Sequence, residues 1–397
     1  MAGLIPVPPA DLVVRNIGRL TTWHAPVIVD AAVVIRAGRV SWTGADRDLT
    51  GVGDVPELDA GGAAVLPGFV DCHTHAVWAG SRRDDFVGRL SGGGYSPGGI
   101  RTTVEATRAA SYDELLAGAV DRLAAMQRSG TTTVEIKSGY GLTPGDEVQL
   151  LTVAGHAAEQ VGIGATTTYL GAHVVPPERD RDDYVDEVVA MLPVAVQHGA
   201  QWCDVFCDDG AFTVEEARRI LTAGRTAGLG LRMHAEQLSH TGAALLAAEL
   251  GCASADHLDH VTDEDARALA ASGVVAVLVP VVSLYTRSHR WAHAQVLRDA
   301  GCTLAIATDC NPGSAWCESM PVAVQLACLG MGLPVDAALR AATLGGAAAL
   351  CRDDVGHLGT GARGDLVVLA ADHEADLVAH LGTQAVIRTV VDGCPIG

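Results

Sequence analysis

The stretch LPGFVDCHTHAVWAGSR, residues 66–82, carries an apolar run that ends in Asp71-Cys72-His73-Thr74-His75. A short apolar run bounded by Pro-Gly reads as a buried strand, with its polar residues at the C-terminal end. The same figure recurs down the chain. Further runs end near Lys137, His173, Cys207, His234, His257, Val279 and Thr308. Helix-competent stretches such as TVEEARRILTAGRTAG (213–228) and DEDARALAASG (263–273) follow them. Eight strand–helix units argue for a (β/α)8 TIM-like barrel rather than an open doubly wound sheet.

The two ends of the chain read differently. DLVVRN (11–16), VIVDAAVVIRAGRVSWTG (27–44), LDAGGAAVLPG (58–68), GDLVVLAA (364–371) and QAVIRTVVDG (384–393) are short alternating strands broken by glycine. The expected organisation is a barrel over 64–355, with 1–63 and 356–397 joining into one small β-sandwich domain beside it.

At 397 residues and 49% hydrophobic content, the chain is long and apolar enough for a large core. A net charge of −20 argues against nucleic acid or an anionic membrane as a partner. The start, MAGLIPVPPADLVVRN, lacks the pattern of a signal peptide. The longest apolar run, GVVAVLVPVV (273–282), is about half a membrane span. A soluble, cytoplasmic protein is expected. Ten cysteines without zinc-finger spacing read as reduced core thiols.

Chemistry in a barrel gathers where the strands end. His73 and His75 are one residue apart on an extended chain, so both face one side and Thr74 and Cys72 face away. Taken singly, each has an ordinary reading: a satisfied buried histidine, or, for Asp309, a turn residue before Asn311-Pro312-Gly313. Together His73, His75, His234 and Asp309 stand at three strand ends of one apolar framework and suit a single metal ion with room for water. Such an ion lowers the pKa of a bound water toward neutrality. Asp309 can then be both ligand and proton shuttle, and His257 can orient the water or stabilise an oxyanion. The reaction class is metal-assisted hydrolysis of a C–N or C–O bond.

PGFVDCHTH, His234, His257 and TDCNPGS (308–314) resemble the amidohydrolase superfamily. HTHAVWAGSRRDDFVGRL (73–90), RTTVEATRAAS (101–111), TTVEIKSGYGL (132–142), LGAHVVPPE (170–178), DVFCDDGAFT (204–213), HAEQLSHTGAALLAAELGCASADHL (234–258) and ATDCNPGSAWCESMP (307–321) are similar to the imidazolonepropionase family within it. The resemblance runs from about Asp11 to Gly397. It implies hydrolysis of 4-imidazolone-5-propanoate to N-formimidoyl-L-glutamate in histidine degradation. It also implies one zinc or iron ion per subunit on His73, His75, His234 and Asp309, and a homodimer. Substrate contacts would fall on Arg82, Tyr140, His173, Gln237 and Ser314, with Asn311 and Gly313 touching the product's glutamate portion.

The residue chemistry agrees. Arg82, seven residues past His75, is a natural bidentate partner for the substrate's carboxylate; the plainer reading is an ion pair with Asp84 or Asp85. Tyr140 could equally be a core-edge tyrosine and His173 a satisfied histidine. NPGS (311–314) offers backbone amides and a hydroxyl to an anionic tail. Three features depart from the pattern or compete with it. Gln237 stands where some members carry Glu, so it serves catalysis as a hydrogen-bond partner of the ring and not as a base; Glu236 beside it points elsewhere. LVPVVSLYTR (278–287) differs from the family's aromatic-rich segment. Lys137, if carbamylated, would bridge two metals, but KSGYGL (137–142) matches the mononuclear pattern. The rivals are a ring aminohydrolase, which Arg82 disfavours, and a non-catalytic binding barrel, which the full set with His257 and Asp309 disfavours.

Overall fold

The structure, a computed structural model, describes residues 11–93, 99–288 and 290–396. Residues 1–10 and 397 of the end domain, and with them most of the N-terminal stretch read for a signal peptide, lie outside the described residues. The chain opens with β1 (Leu12–Leu20), β2 (Ile28–Arg36), β3 (Arg39–Ala45), β4 (Glu57–Asp59) and β5 (Ala64–Pro67). The β2–β3 hairpin turns on Ala37 and Gly38, both left-handed (φ 47° and 72°), as a two-residue turn between twisted strands requires.

The barrel strands follow: β6 (Phe69–Asp71), β7 (Thr131–Lys137), β8 (Gly164–Ala172), β9 (Trp202–Cys207), β10 (Gly230–Ala235), β11 (Ser254–His257), β12 (Val275–Leu278) and β13 (Leu304–Ile306). They pair in sequential order and in parallel, and the expected strand ends agree to within two residues. GVVAVLVPVV is β12 followed by a helix, Pro280–Tyr285, with proline in its first turn, where the missing N–H costs nothing. Among the described residues no helix is long and apolar enough to cross a membrane. Cys72, Cys203, Cys207, Cys252 and Cys310 are buried thiols.

The chain then returns through β14 (Leu366–Leu369), β15 (Val386–Val391) and β16 (Cys394–Ile396) to the end sheet, whose order is β16-β15-β14-β5-β1-β2-β3 with β4 beside β1. Alternation on β5 and β14 joins the two parts. Val65, Leu366 and Val368 enter the end-sheet core with Val14, Ile17, Val33 and Val390. Ala64, Leu66, Val367 and Leu369 face the other way, into the barrel's core. The 63/64 boundary falls at the first residue of β5, and passage into the barrel comes at Gly68.

The first and last barrel strands meet only beyond their ladders, at the C-terminal mouth. Thr74 bridges Cys310 in parallel register. Asp309 N donates to His73 O and His75 N to Cys310 O, each at 3.0 Å. Below them the Asp71 carboxylate accepts Thr308 N (3.1 Å) and Thr308 Oγ (2.6 Å). The closing seam therefore carries three of the four expected metal ligands. Behind it, Gly345 and Gly346 press backbone to backbone on the seam: a Cβ on them would lie 2.0 Å from Leu304 O and 2.3 Å from Val70 O. Gly345→Ala is expected to cost about 3 kcal/mol, the scale of an overpacked core, seen as a lower urea midpoint.

Candidate active site

Seam closure brings the polar strand ends together. The Nε2 atoms of His73 and His75 lie 3.5 and 3.4 Å from Asp309 Oδ1. The His234 and His257 rings stand 4.5 and 5.4 Å, centroid to centroid, from that of His73. Thr74 points away, its hydroxyl donating to Glu135 O at 2.7 Å. Five buried atoms here have no hydrogen-bond partner: His73 Nε2, His75 Nδ1, His234 Nε2, His257 Nδ1 and Asp309 Oδ1. One such orphan costs about 1–3 kcal/mol. Several on neighbouring imidazole and carboxylate side chains suit a cation, which would satisfy them. The donor atoms form two overlapping groups, His73/His234/His257 and His73/His75/Asp309, each within 4.8 Å. Three imidazoles and a carboxylate fit one zinc or iron ion.

Burial holds His73 and His75 well below the usual histidine pKa, and His257 at about 3, so these rings stay neutral with lone pairs for donation. Burial raises the Asp309 carboxyl above its usual range. Asp309, His257 and Leu258 adopt left-handed backbone (φ 50°, 82° and 63°), strain that a packed fold tolerates where function requires it.

Beneath the histidines lies a buried charged layer. His73 Nδ1 donates to Asp256 Oδ2 (2.6 Å) and His234 Nδ1 to Asp204 Oδ2 (3.1 Å), which leaves both Nε2 atoms unprotonated toward the site. Lys137 Nζ joins Glu135 Oε1 (2.9 Å) and Asp204 Oδ2 (2.8 Å). Arg232 Nη2 contacts Cys72 O (2.7 Å) and Asp256 Oδ2 (3.3 Å). Burial works against the Lys137 ammonium, but Asp204 and Glu135 outweigh it and raise its pKa. A charged amine in that grip is not available as a carbamate, which fits a mononuclear site. Asp256→Asn is expected to lower metal affinity about 10–100-fold, by freeing the His73 ring, in competition with a chelator.

Asp204, Asp256, Glu135 and Arg232 were not singled out from the sequence, and period-two alternation could have found two of them. Glu135 and Lys137, like Arg232 and His234, are two apart on one strand and so face one side. The pairing of His73 with Asp256, 183 residues away, has no local signal.

Above the histidines opens a pocket of about 560 Å³, its mouth included. Arg82, Tyr140, His173, Gln237, Asn311, Gly313 and Ser314 all line it, together with His75, His234, His257 and Asp309. Arg82 is 6% exposed, so it is not a surface ion pair; its Nε hydrogen-bonds Asp85 while its side chain lines the pocket. Two glycines make room for the guanidinium: a Cβ on Gly99 or Gly313 would come within 1.9 Å of Nη2 or 2.6 Å of Nη1. His173 stacks on His75 at 5.1 Å. Its Nδ1 donates to Gly139 O (3.0 Å), which leaves Nε2 as an acceptor. Gln237 is held by Asp208, whose carboxylate accepts the amides of Gln237 (2.9 Å) and Leu238 (2.8 Å). Glu236 points elsewhere, accepting the amides of Thr241, Gly242 and Ala244 at the start of helix Ala243–Leu250.

One expectation is corrected. The Gly313 and Ser314 amides are not open to an anionic tail, because both donate to Asn311 Oδ1 at 2.8 Å. An Asn side chain readily takes the amides of its own turn. Asn311 thereby shapes the turn, which Arg89 props from behind through Gly313 O (2.9 Å); the Ser314 hydroxyl also donates to Asn311 Oδ1 (3.2 Å), so Arg82 is the cation left facing the pocket.

The family model for the amidohydrolase family matches residues 64–395. An imidazolonepropionase of Streptomyces coelicolor is 48% identical over 387 residues, covering 95% of this chain and 97% of the relative. One from Salinispora arenicola is 46% identical, covering 97% and 99%. A zinc-bound adenosine deaminase from Xanthomonas campestris superposes with a TM-score of 0.74 at 21% identity, covering 98% and 93% of the chains. A 5-methylcytosine deaminase from Klebsiella pneumoniae does so with 0.76 at 16% identity, covering 97% of each. At such identities the solved structures speak for the fold, while the close relatives and the family model speak for descent: the chain belongs to the amidohydrolase family and, within it, to the imidazolonepropionases.

Proposed function

We propose that the chain hydrolyses 4-imidazolone-5-propanoate to N-formimidoyl-L-glutamate, a step of histidine degradation. The observation that carries this reading is a buried arginine, Arg82, opening into the same pocket as the His/Asp cluster. A hydrolytic centre beside a fixed guanidinium expects a substrate with a carboxylate tail.

His73, His75, His234 and Asp309 would hold a zinc or iron ion. When bound there, the ion supplies Lewis acidity and a water of lowered pKa. The rest falls to this chain's residues. Arg82 grips the propionate and sets the ring over the histidines, and the Ser314 hydroxyl joins it by turning from Asn311 Oδ1. Tyr140, His173 and Gln237 hydrogen-bond the ring's edge. Asp309 takes a proton from the attacking water as oxygen bonds to the ring carbonyl carbon. The neutral His257 ring donates a hydrogen bond to the oxygen that gains charge. The bond from that carbon to the ring nitrogen then breaks. Asp309 returns the proton to that nitrogen, and the carboxylic acid left on the carbon gives the water's second proton to the freed amidine, so that the product carries a carboxylate and a formamidinium. Phe206, Val174 and Leu238 line the pocket with apolar surface and limit competing water.

Freshly made 4-imidazolone-5-propanoate should lose its ultraviolet absorbance faster with the metal-loaded protein than alone. A rate equal to the spontaneous one would refute the reading.

A further inference from the structure

Across Gln237 and Leu238, which line both, a second cavity of about 540 Å³, mouth included, adjoins the catalytic pocket. Asp259, Ser283, Thr286 and Ser288 give it a polar lining. Asp259 lies two residues past His257, and the left-handed turn at His257 and Leu258 places His257 on one cavity and Asp259 on the other. Asp259 is 7% exposed, and its Oδ1 accepts the Ser283 hydroxyl at 3.1 Å. The nearby Arg290 spends its Nε on the Asp259 main-chain carbonyl (2.9 Å), so among the described residues Ser283 is the one side chain that hydrogen-bonds the carboxylate.

Nothing in the mechanism above uses this carboxylate. Its position suggests what does. Arg82 and Ser314 follow β6 and β13, the two strands of the seam, whereas Gln237, Asp259 and Ser283 follow β10, β11 and β12. A substrate anchored by its propionate at the seam therefore extends over the histidines toward the second cavity. Ring opening frees, at that distal end, a formamidine that is protonated at neutral pH. Its coplanar N–H donors match a carboxylate as a guanidinium's do.

We propose that the second cavity is a product subsite in which Asp259 receives the formamidinium end of the ring-opened product. This rests on the ring-opening reading above. The test compares N-formimidoyl-L-glutamate with N-formyl-L-glutamate, an analogue of the same shape whose formamide end is uncharged, by calorimetric titration of the metal-loaded protein at pH 8. A charge-assisted contact predicts a preference of about tenfold for the amidine in the natural protein. In Asp259→Asn the preference should fall to about one. Each ratio is internal to one protein, so a general loss of activity cannot mimic the effect. Equal binding of the two ligands by the natural protein, or an undiminished preference in Asp259→Asn, would overturn the proposal. Failure to turn over the imidazolone would instead refute the reading beneath it, with the binding ratio still measurable.

Discussion

Asp309→Asn is expected to lower kcat by about 10³–10⁴-fold while the barrel stays folded. Two functions meet in this side chain. Its Oδ1 lies 3.5 and 3.4 Å from the Nε2 atoms of His73 and His75 and has no hydrogen-bond partner, the position of a ligand. In the proposed mechanism the other oxygen carries the proton between water and ring nitrogen. Asparagine has nearly the same shape but can neither balance the ion's charge nor accept a proton. Steady-state kinetics alongside metal analysis separates the two losses. A variant that retains its ion yet loses turnover assigns the proton work to Asp309; turnover within tenfold of the natural protein would remove it from the mechanism.

Arg82→Lys should raise KM about 10–100-fold with a smaller change in kcat. A lysine keeps the charge but loses the planar fork. The slot is cut for that fork, between Gly99 and Gly313 with Asp85 at the Nε edge. The diagnostic comparison replaces the substrate's propionate by propionamide. If Arg82 binds the carboxylate, natural protein and variant should handle the amide about equally. A penalty of the same size on both substrates would mean that the substitution damages the pocket generally.

The sequence exposed those parts of the architecture that depend on local pattern. Barrel strands were readable because each is a short apolar run with a polar end, and the candidate ligands because His73 and His75 alternate while His234 and Asp309 sit at comparable ends. Arg82 was readable as a cation close to the metal motif, though only packing against two glycines shows how it is held. What escaped depends on contacts across the barrel. Asp256 under His73 and Asp204 under His234 look like ordinary polar strand residues until the sheet closes. The 311–314 turn looked open to an anion because its amides count as free until the Asn311 side chain is placed on them. The closing seam, held by Asp71 and Thr308 across 237 residues, is likewise a product of topology.

The most direct test of the central claim is turnover of 4-imidazolone-5-propanoate in ¹⁸O-water, with the product weighed by mass spectrometry and free ammonia assayed in parallel. Ring opening by water predicts one ¹⁸O in the new carboxylate, both nitrogens retained and no ammonia released. Release of ammonia in step with substrate loss, or a product without the label, would contradict it.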